Sequence, residues 1–397
     1  MKILAIETSC DDTAIAILEV EESKNFPAFN VLSNIVSSQI EVHKKYGGVY
    51  PAMAKREHQK NLIQVLVKSL KEAGLLKIFN FQFLISNEFL MTKFSNVKNI
   101  LEREPELIKK IIPFLEKYER PDADLIAVTN GPGLEPCLWV GVNFAKVLSY
   151  FWNIPIVATN HIESHILVNF LERPKGYPEI KFPAVCLVVS GGHTQMILMK
   201  KIGGYKILGE TRDDAAGECF DKCARILGLG YPGGPAISKL ADRDPISIKN
   251  RDRVSIKLPR PMINTKDYDF SFSGLKTAVL YQTIKDGKKV KSKKYKQEMC
   301  VEIQQAIIDV LIKKTIKAAK DFKAKTIILG GGVSANSELR SQFELKVKSQ
   351  KLKVKVFFPE KNLSTDNALM TAITGFYHQK NTQSWKKIEA DGNLRIK

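Results

Sequence analysis

No run of about 18 apolar residues in the 397-residue chain is free of charge, which argues against a membrane-spanning helix. The opening stretch, "MKILAIETSC", runs into a short apolar segment with no cleavage site behind it, so no secretory leader is expected and a cytoplasmic location is. Cysteines are few and scattered. Cys10, Cys137, Cys186, Cys219, Cys223 and Cys300 show no framework spacing, so reduced thiols are expected in place of bridges. Cys219 and Cys223 stand four apart but lack a second pair, short of a four-ligand structural zinc site. Acidic residues are outnumbered, 42 against 61 lysines and arginines, and the net charge of +19 suits a polyanionic partner as well as it suits a lysine-rich proteome. A local excess is more telling: "KDGKKVKSKKYK" (285–296) sets seven lysines against one aspartate, either a solvated loop or a contact to a nucleic-acid backbone.

With 44% hydrophobic and 26% charged residues, the chain is long enough for two packed cores. Residues 3–18, "ILAIETSCDDTAIAIL", read as apolar run, polar turn and apolar run, hence a hairpin, and 184–199, "AVCLVVSGGHTQMILM", repeat the pattern. Later in each half a buried strand runs into a glycine turn, at 114–133 and again at 318–332. This predicts an internal duplication: two α/β domains of mixed sheet, 1–170 and 183–397, facing one cleft. The amphipathic stretch 77–112 carries none of the glycine signals and reads as an inserted helical excursion.

Four glycine-rich turns stand out: "NGPGL" (130–134), "VSGGHT" (189–194), "YPGGP" (231–235) and "GGGVSAN" (330–336). None fits the Walker or Rossmann fingerprint, yet together on a duplicated α/β frame they suggest a nucleotide or adenylate held by backbone N–H groups. "DDAAGECFDK" (213–222) crowds Asp213, Asp214, Glu218 and Asp221. An acidic helix start accounts for the first two but poorly for Asp221, which is a candidate ligand for a ribose or an amide.

"NHIESHI" (160–166) sets His161 and His165 four apart, on one face of a helix and close enough to hold one ion. The glutamate that directly follows the first histidine in the zinc-peptidase motif is displaced here to Glu163, about 100° around the helix from the required position. Asp366, in "NLSTDNALMTA", is a candidate third ligand, with a helix cap as its plainer role. Two histidines and a carboxylate would leave open positions on a metal, suited to polarising a substrate.

The segments "IETSCDDT", "GGVYPAMAKREH", "NHIESH", "VSGGHTQ", "DDAAGECFDK", "YPGGP", "DFSFSGLKTA", "GGVSAN" and "STDNALM", in order from residue 3 to about 378, resemble the TsaD family. These are tRNA N(6)-adenosine threonylcarbamoyltransferases, formerly described as O-sialoglycoprotein endopeptidases. "SGGHTQ" and "SFSGLKT" look like the bacterial branch, while "GPGLEPCLWVG" resembles the archaeal and eukaryotic wording of that loop. The resemblance implies a duplicated actin-like, sugar-kinase-like fold. It further implies transfer of a threonylcarbamoyl group from threonylcarbamoyl-AMP to the exocyclic amine of adenosine 37 in tRNAs reading codons that begin with A. It places metal ligands on His161, His165 and Asp366, for Fe(II) or else Zn(II), and substrate contacts on Val188, Val189, Ser190, Gly191, Gly192, Asp221, Gly234 and Asn336. Asp11 and Asp12 are expected to assist charge or proton handling. Bacterial relatives act with a smaller TsaB-type paralogue and a TsaE-type P-loop ATPase, so those are the expected partners beside tRNA. Rival readings are a kinase or ATPase of the same fold, a nucleic-acid-binding scaffold, and last a peptidase, whose glutamate is misplaced.

Overall fold

A computed structural model describes residues 1–22, 27–79, 87–171, 179–242 and 256–397, with the side chains of 87–90 left out. The expected excursion therefore falls partly, at 80–86, outside the described residues. The chain opens with β1 (Lys2–Glu7), β2 (Asp12–Glu21) and β3 (Ala28–Ser38), then the helices α1 (Ile40–Lys44), α2 (Pro51–Glu72), α3 (Asn87–Ile100) and α4 (Pro105–Lys117). It continues through β4 (Leu125–Gly131), α5 (Glu135–Trp152), β5 (Ile156–Asn160) and α6 (His161–Leu167). A second series runs β6 (Ala184–Val189), β7 (Thr194–Lys201), β8 (Gly204–Glu210), α7 (Ala216–Ile226), α8 (Gly233–Ala241), α9 (Ser273–Asp286), α10 (Lys293–Asp321), β9 (Thr326–Gly330), α11 (Ser337–Ser349) and β10 (Lys355–Phe357). The last helix is α12 (Ala368–Tyr377).

The two sheets have the same topology, β3-β2-β1-β4-β5 and β8-β7-β6-β9-β10. In each, an antiparallel meander joins a parallel set through its first strand: β1 pairs antiparallel with β2 and parallel with β4, and β6 pairs likewise with β7 and β9. The duplication and both hairpins expected from the sequence are therefore present. Both first strands are central and covered on both faces, which is why "ILAI" and "AVCLVV" lack alternation. Each such buried Leu or Ile contributes roughly 1.5–3 kcal/mol.

By packing, one unit comprises Met1–Glu41, Val49–Pro174 and Asp366–Arg395, and the other Val42–Gly48, Lys175–Thr365 and Ile396–Lys397. The expected second half, 183–397, runs past this boundary. The reason is physical: all nine residues of α12 from Ala368 to Phe376 are buried, so the helix needs cover on every side. It finds cover against the first sheet, where a Cβ on Gly375 would stand 2.5 Å from that of Ala127. Asp366, just ahead of α12, is thereby delivered to the first unit, although nearly 200 residues separate it from α6. The helices of the expected excursion also join this core, with Val97, Leu101, Leu107 and Ile111 fully buried.

Candidate metal centre and ligand turns

In the first unit, β5 ends at Asn160, whose side-chain oxygen caps α6 by accepting from the N–H groups of Ile162 and Glu163. The cap starts the helix at His161, so both histidines fall on its seven buried residues. Their rings lie 4.6 Å apart, and His165 Nε2 stands 3.1 Å and His161 Nε2 3.7 Å from Asp366 Oδ1. Each of the three offers a donor atom within 4.8 Å of the others, the one group among the described residues able to hold a metal ion together. The outer shell is built as well. His161 Nδ1 faces Ser9 Oγ at 3.1 Å and Glu7 Oε2 at 3.5 Å. Glu7 accepts in turn from Ser9 N at 2.7 Å, Thr129 Oγ1 at 2.5 Å and Thr371 Oγ1 at 3.2 Å. Fully buried Glu7 stands where a histidine that bound a metal through Nε2 would have its supporting carboxylate.

These groups tune one another. Burial pulls His161 toward the neutral form, but Asp366 and Glu7 outweigh it and hold its pKa at about 9. Burial raises Glu7, but the charge of His161 together with the hydrogen bonds from His161 and Ser9 outweighs it and leaves the carboxyl below its usual value. His165, buried beside a cation, is pushed down and stays neutral, and its Nδ1 has no hydrogen-bond partner among the described residues. Asp12 lies at the start of β2, and burial, then Asp366 and Asp11, raise it to about 7. The turn that carries it is braced by buried His58, whose Nε2 donates to the Cys10 carbonyl at 3.0 Å while Nδ1 meets Thr13 Oγ1 at 2.8 Å.

Glu163 turns away from the histidine pair, and both its carboxylate oxygens stand 2.9 Å from His378 Nε2. That hydrogen bond, with the charge behind it, raises His378 above its usual value. The stabilisation is fully present below the unfolded pKa near 6.5 and is lost as pH rises through the raised folded value. His378→Gln is therefore expected to cost about 1–2 kcal/mol at pH 6 and less at pH 9. Thermal melts of both proteins across that range check it; a constant gap would contradict the pair.

In the second unit, β6 and β9 end side by side, with Val188 opposite Gly330, at the carboxyl end where ligands of parallel sheets bind. The turn that follows β6 closes through Ser190 N to the His193 carbonyl at 2.8 Å. Its neighbours must lack side chains. A Cβ on Gly331, at φ +83°, would stand 2.4 Å from the Val189 carbonyl oxygen, and one on Gly217 would stand 2.5 Å from that of Ser190. By contrast Gly191 and Gly192 have nothing within 4 Å of a Cβ, and Gly234 only Phe220 at 4.0 Å, so their backbone is open to approach. Asp221 Oδ1 accepts from Gly233 N at 2.6 Å at the start of α8. Asn336 caps α11 through Leu339 N and donates to Gln304 Oε1 at 2.8 Å. Asp213 is committed to the 271–273 loop by two backbone N–H and two hydroxyl donors.

Two features of the sequence have other uses. "NGPGL" is a packing turn in the first unit, where a Cβ on Gly133 would stand 2.5 Å from the Ser9 carbonyl oxygen. Cys219 and Cys223 are buried with their sulfurs 3.9 Å apart, and no metal group among the described residues includes them. Sequence reasoning missed Glu7, Ser9 and His58. The signal for Glu7 was a charge ending an otherwise apolar strand, "ILAIE".

The family model for TsaD, tRNA N6-adenosine threonylcarbamoyltransferase, matches residues 30–78 and 98–373. The unmatched stretch between them is narrower than the 77–112 excursion. Proteins of that name from Thermosipho africanus, Syntrophomonas wolfei and Persephonella marina are 42%, 41% and 40% identical to this chain. The alignments span 100%, 96% and 100% of it and 100%, 93% and 96% of the relatives. The crystal structure of full-length HypF in the phosphate- and nucleotide-bound form is similar over 97% of this chain and 47% of its own, with a TM-score of 0.51 and 11% identity, a likeness of fold alone. No helix among the described residues is long and apolar enough to cross a membrane. The family match and these full-length relatives agree: the chain belongs to the TsaD family, the tRNA N6-adenosine threonylcarbamoyltransferases, and is a transferase of tRNA threonylcarbamoyladenosine modification.

Proposed function

We propose that the chain takes the threonylcarbamoyl group from threonylcarbamoyl-AMP and passes it to the exocyclic amine of adenosine 37 in tRNAs reading codons that begin with A. One divalent ion, held by His161, His165 and Asp366, serves the reaction. The observation that carries this reading is the demand of the site for positive charge: Glu7 and Asp366 converge on a buried histidine pair and draw a proton onto His161 at neutral pH. An ion would replace that proton. Two imidazoles and a carboxylate suit Fe(II), with Zn(II) as the second choice. Such an ion supplies Lewis-acid polarisation of the acyl donor's carbonyl.

The chain's own residues do the rest. Glu7 and Ser9 engage His161 Nδ1, which leaves Nε2 for the ligand set. Glu163, engaged by His378, is not poised to activate water, which favours attack by an amine over hydrolysis of the donor. As the amine nitrogen bonds to the carbonyl carbon and the bond to AMP breaks, a proton leaves the amine. Asp12, whose carboxyl is raised to about 7 by burial and then by Asp366 and Asp11, takes it. In the second unit the turn of Val188, Val189, Ser190, Gly191 and Gly192 holds the adenylate, which approaches over the open backbone of Gly191 and Gly192. Asp221, Gly234 and Asn336 frame it.

A smaller TsaB-type paralogue and a TsaE-type P-loop ATPase are the proposed partners, and the cytoplasm the proposed location. Transfer of labelled threonine from threonylcarbamoyl-AMP into an unmodified tRNA transcript, with and without those two proteins, tests the assignment. Label that appears only with the partners supports the assembly; label without them overturns the need for it.

A further inference from the structure

The net charge is not spread evenly. The second unit carries 40 lysines and arginines against 19 acidic residues, whereas the first carries 21 against 23. Among the described residues of the second unit, one surface gathers a run of six exposed lysines beside an exposed aromatic ring. Lys285, Lys288, Lys289, Lys291, Lys293 and Lys294, along the end of α9 and the start of α10, are all exposed, and none forms a side-chain hydrogen bond or ion pair among the described residues. The single aspartate of the stretch, Asp286, is engaged by Gln282 and Tyr295. Beside these lysines α9 leaves three large side chains in water: Leu280 at 40%, Tyr281 at 66% and Ile284 at 67% exposure. Tyr281 and Lys285 stand one turn apart on the helix.

A second basic face, in the groove between α10 and α11, has a different character. Lys313, Lys314 and Lys317 there are tied to Asn264, Asp267 and Asp321, Lys320 and Lys346 are exposed without such bonds among the described residues, and its exposed large apolar residue is aliphatic Leu345. Cations free of side-chain hydrogen bonds and ion pairs among the described residues, beside an exposed aromatic ring, suit a nucleic acid, with phosphates on the lysines and a base on the ring. We infer that the α9–α10 corner is a tRNA-docking surface, with RNA phosphates on the lysine run and an unpaired base stacked on Tyr281. The inference rests on tRNA as substrate but goes beyond the reacting site.

The test is tRNA affinity against salt for the full chain, with its partners where transfer requires them. Combined Lys288→Glu, Lys289→Glu and Lys291→Glu is expected to weaken binding about a hundredfold near 0.1 M salt and to flatten the slope of log affinity against log salt by about 2–3. A charge-matched control, Lys320→Glu, Lys346→Glu and Lys353→Glu, should lose far less. Tyr281→Ala is expected to cost about tenfold. Transfer by the cluster variant at saturating tRNA should keep its kcat while KM rises.

An equal loss in the control would reduce the effect to overall charge and overturn the inference. Unchanged tRNA binding in the cluster variant would overturn it too, whether or not the variant loses binding to anionic phospholipid vesicles. Either result, with a wild-type protein that still modifies tRNA, would leave the proposed function standing. A wild-type protein that neither binds nor modifies tRNA would remove both.

Discussion

His165→Ala is expected to leave a folded protein that no longer retains a divalent ion and transfers the threonylcarbamoyl group about a thousandfold more slowly. The size follows from the several kcal/mol that a bound Lewis acid contributes, at about 1.4 kcal/mol per tenfold in rate. His165 is fully buried, its Nε2 is the histidine nitrogen nearest Asp366, and its Nδ1 has no hydrogen-bond partner among the described residues. The ring's hydrogen bond goes to Asp366, a fellow candidate ligand, and circular dichroism should show native content. Metal content per chain and single-turnover transfer are the two readings. Wild-type transfer in a metal-free variant would remove the ion from the reaction.

Glu7→Gln is expected to weaken metal binding about 10- to 100-fold, the range for loss of a carboxylate behind a ligating histidine. The substitution keeps the shape and an oxygen for Ser9 N, and the hydroxyls of Thr129 and Thr371 can reorient. It puts an amide N–H, or a neutral oxygen, where His161 Nδ1 now faces charge. The imidazole loses both the bias toward the Nδ1–H tautomer, which leaves the Nε2 lone pair free, and the electron density that a carboxylate lends. Titration of ion into the metal-free variant measures the effect, and melting temperature separates it from loss of fold. Unaltered affinity would make Glu7 a core hydrogen-bonding residue only.

The fold was legible because the duplication repeats a pattern of elements: two apolar hairpins, then two strands that run into glycine turns. The histidine pair was legible because its spacing is local, four residues on one helix. Asp366 could be nominated from its place at a helix start, but its delivery to the first sheet depends on the burial of all of α12, a tertiary fact. Glu7 was hidden for the same reason. A glutamate at a strand end reads as a surface residue until β1 proves central and Thr129, Thr371 and His161 are found around it. Asn336 and Asp221 show the reverse. Their motifs stood out, and the structure shows each already bonded within its own unit, one as a helix cap and one at the start of α8. Glycines were the hardest to read, since in one motif Gly331 makes room for a carbonyl oxygen while in another Gly191 and Gly192 face open space.

The most direct measurement is single-turnover transfer of labelled threonine from threonylcarbamoyl-AMP to tRNA by the wild-type protein, first stripped by chelator and then reloaded with Fe(II) or Zn(II). Label is expected to fall to the level of His165→Ala on stripping and to return with about one ion per chain, while His165→Ala stays about a thousandfold slower under the same loading. Full transfer by the stripped protein, with metal shown absent, would contradict that expectation.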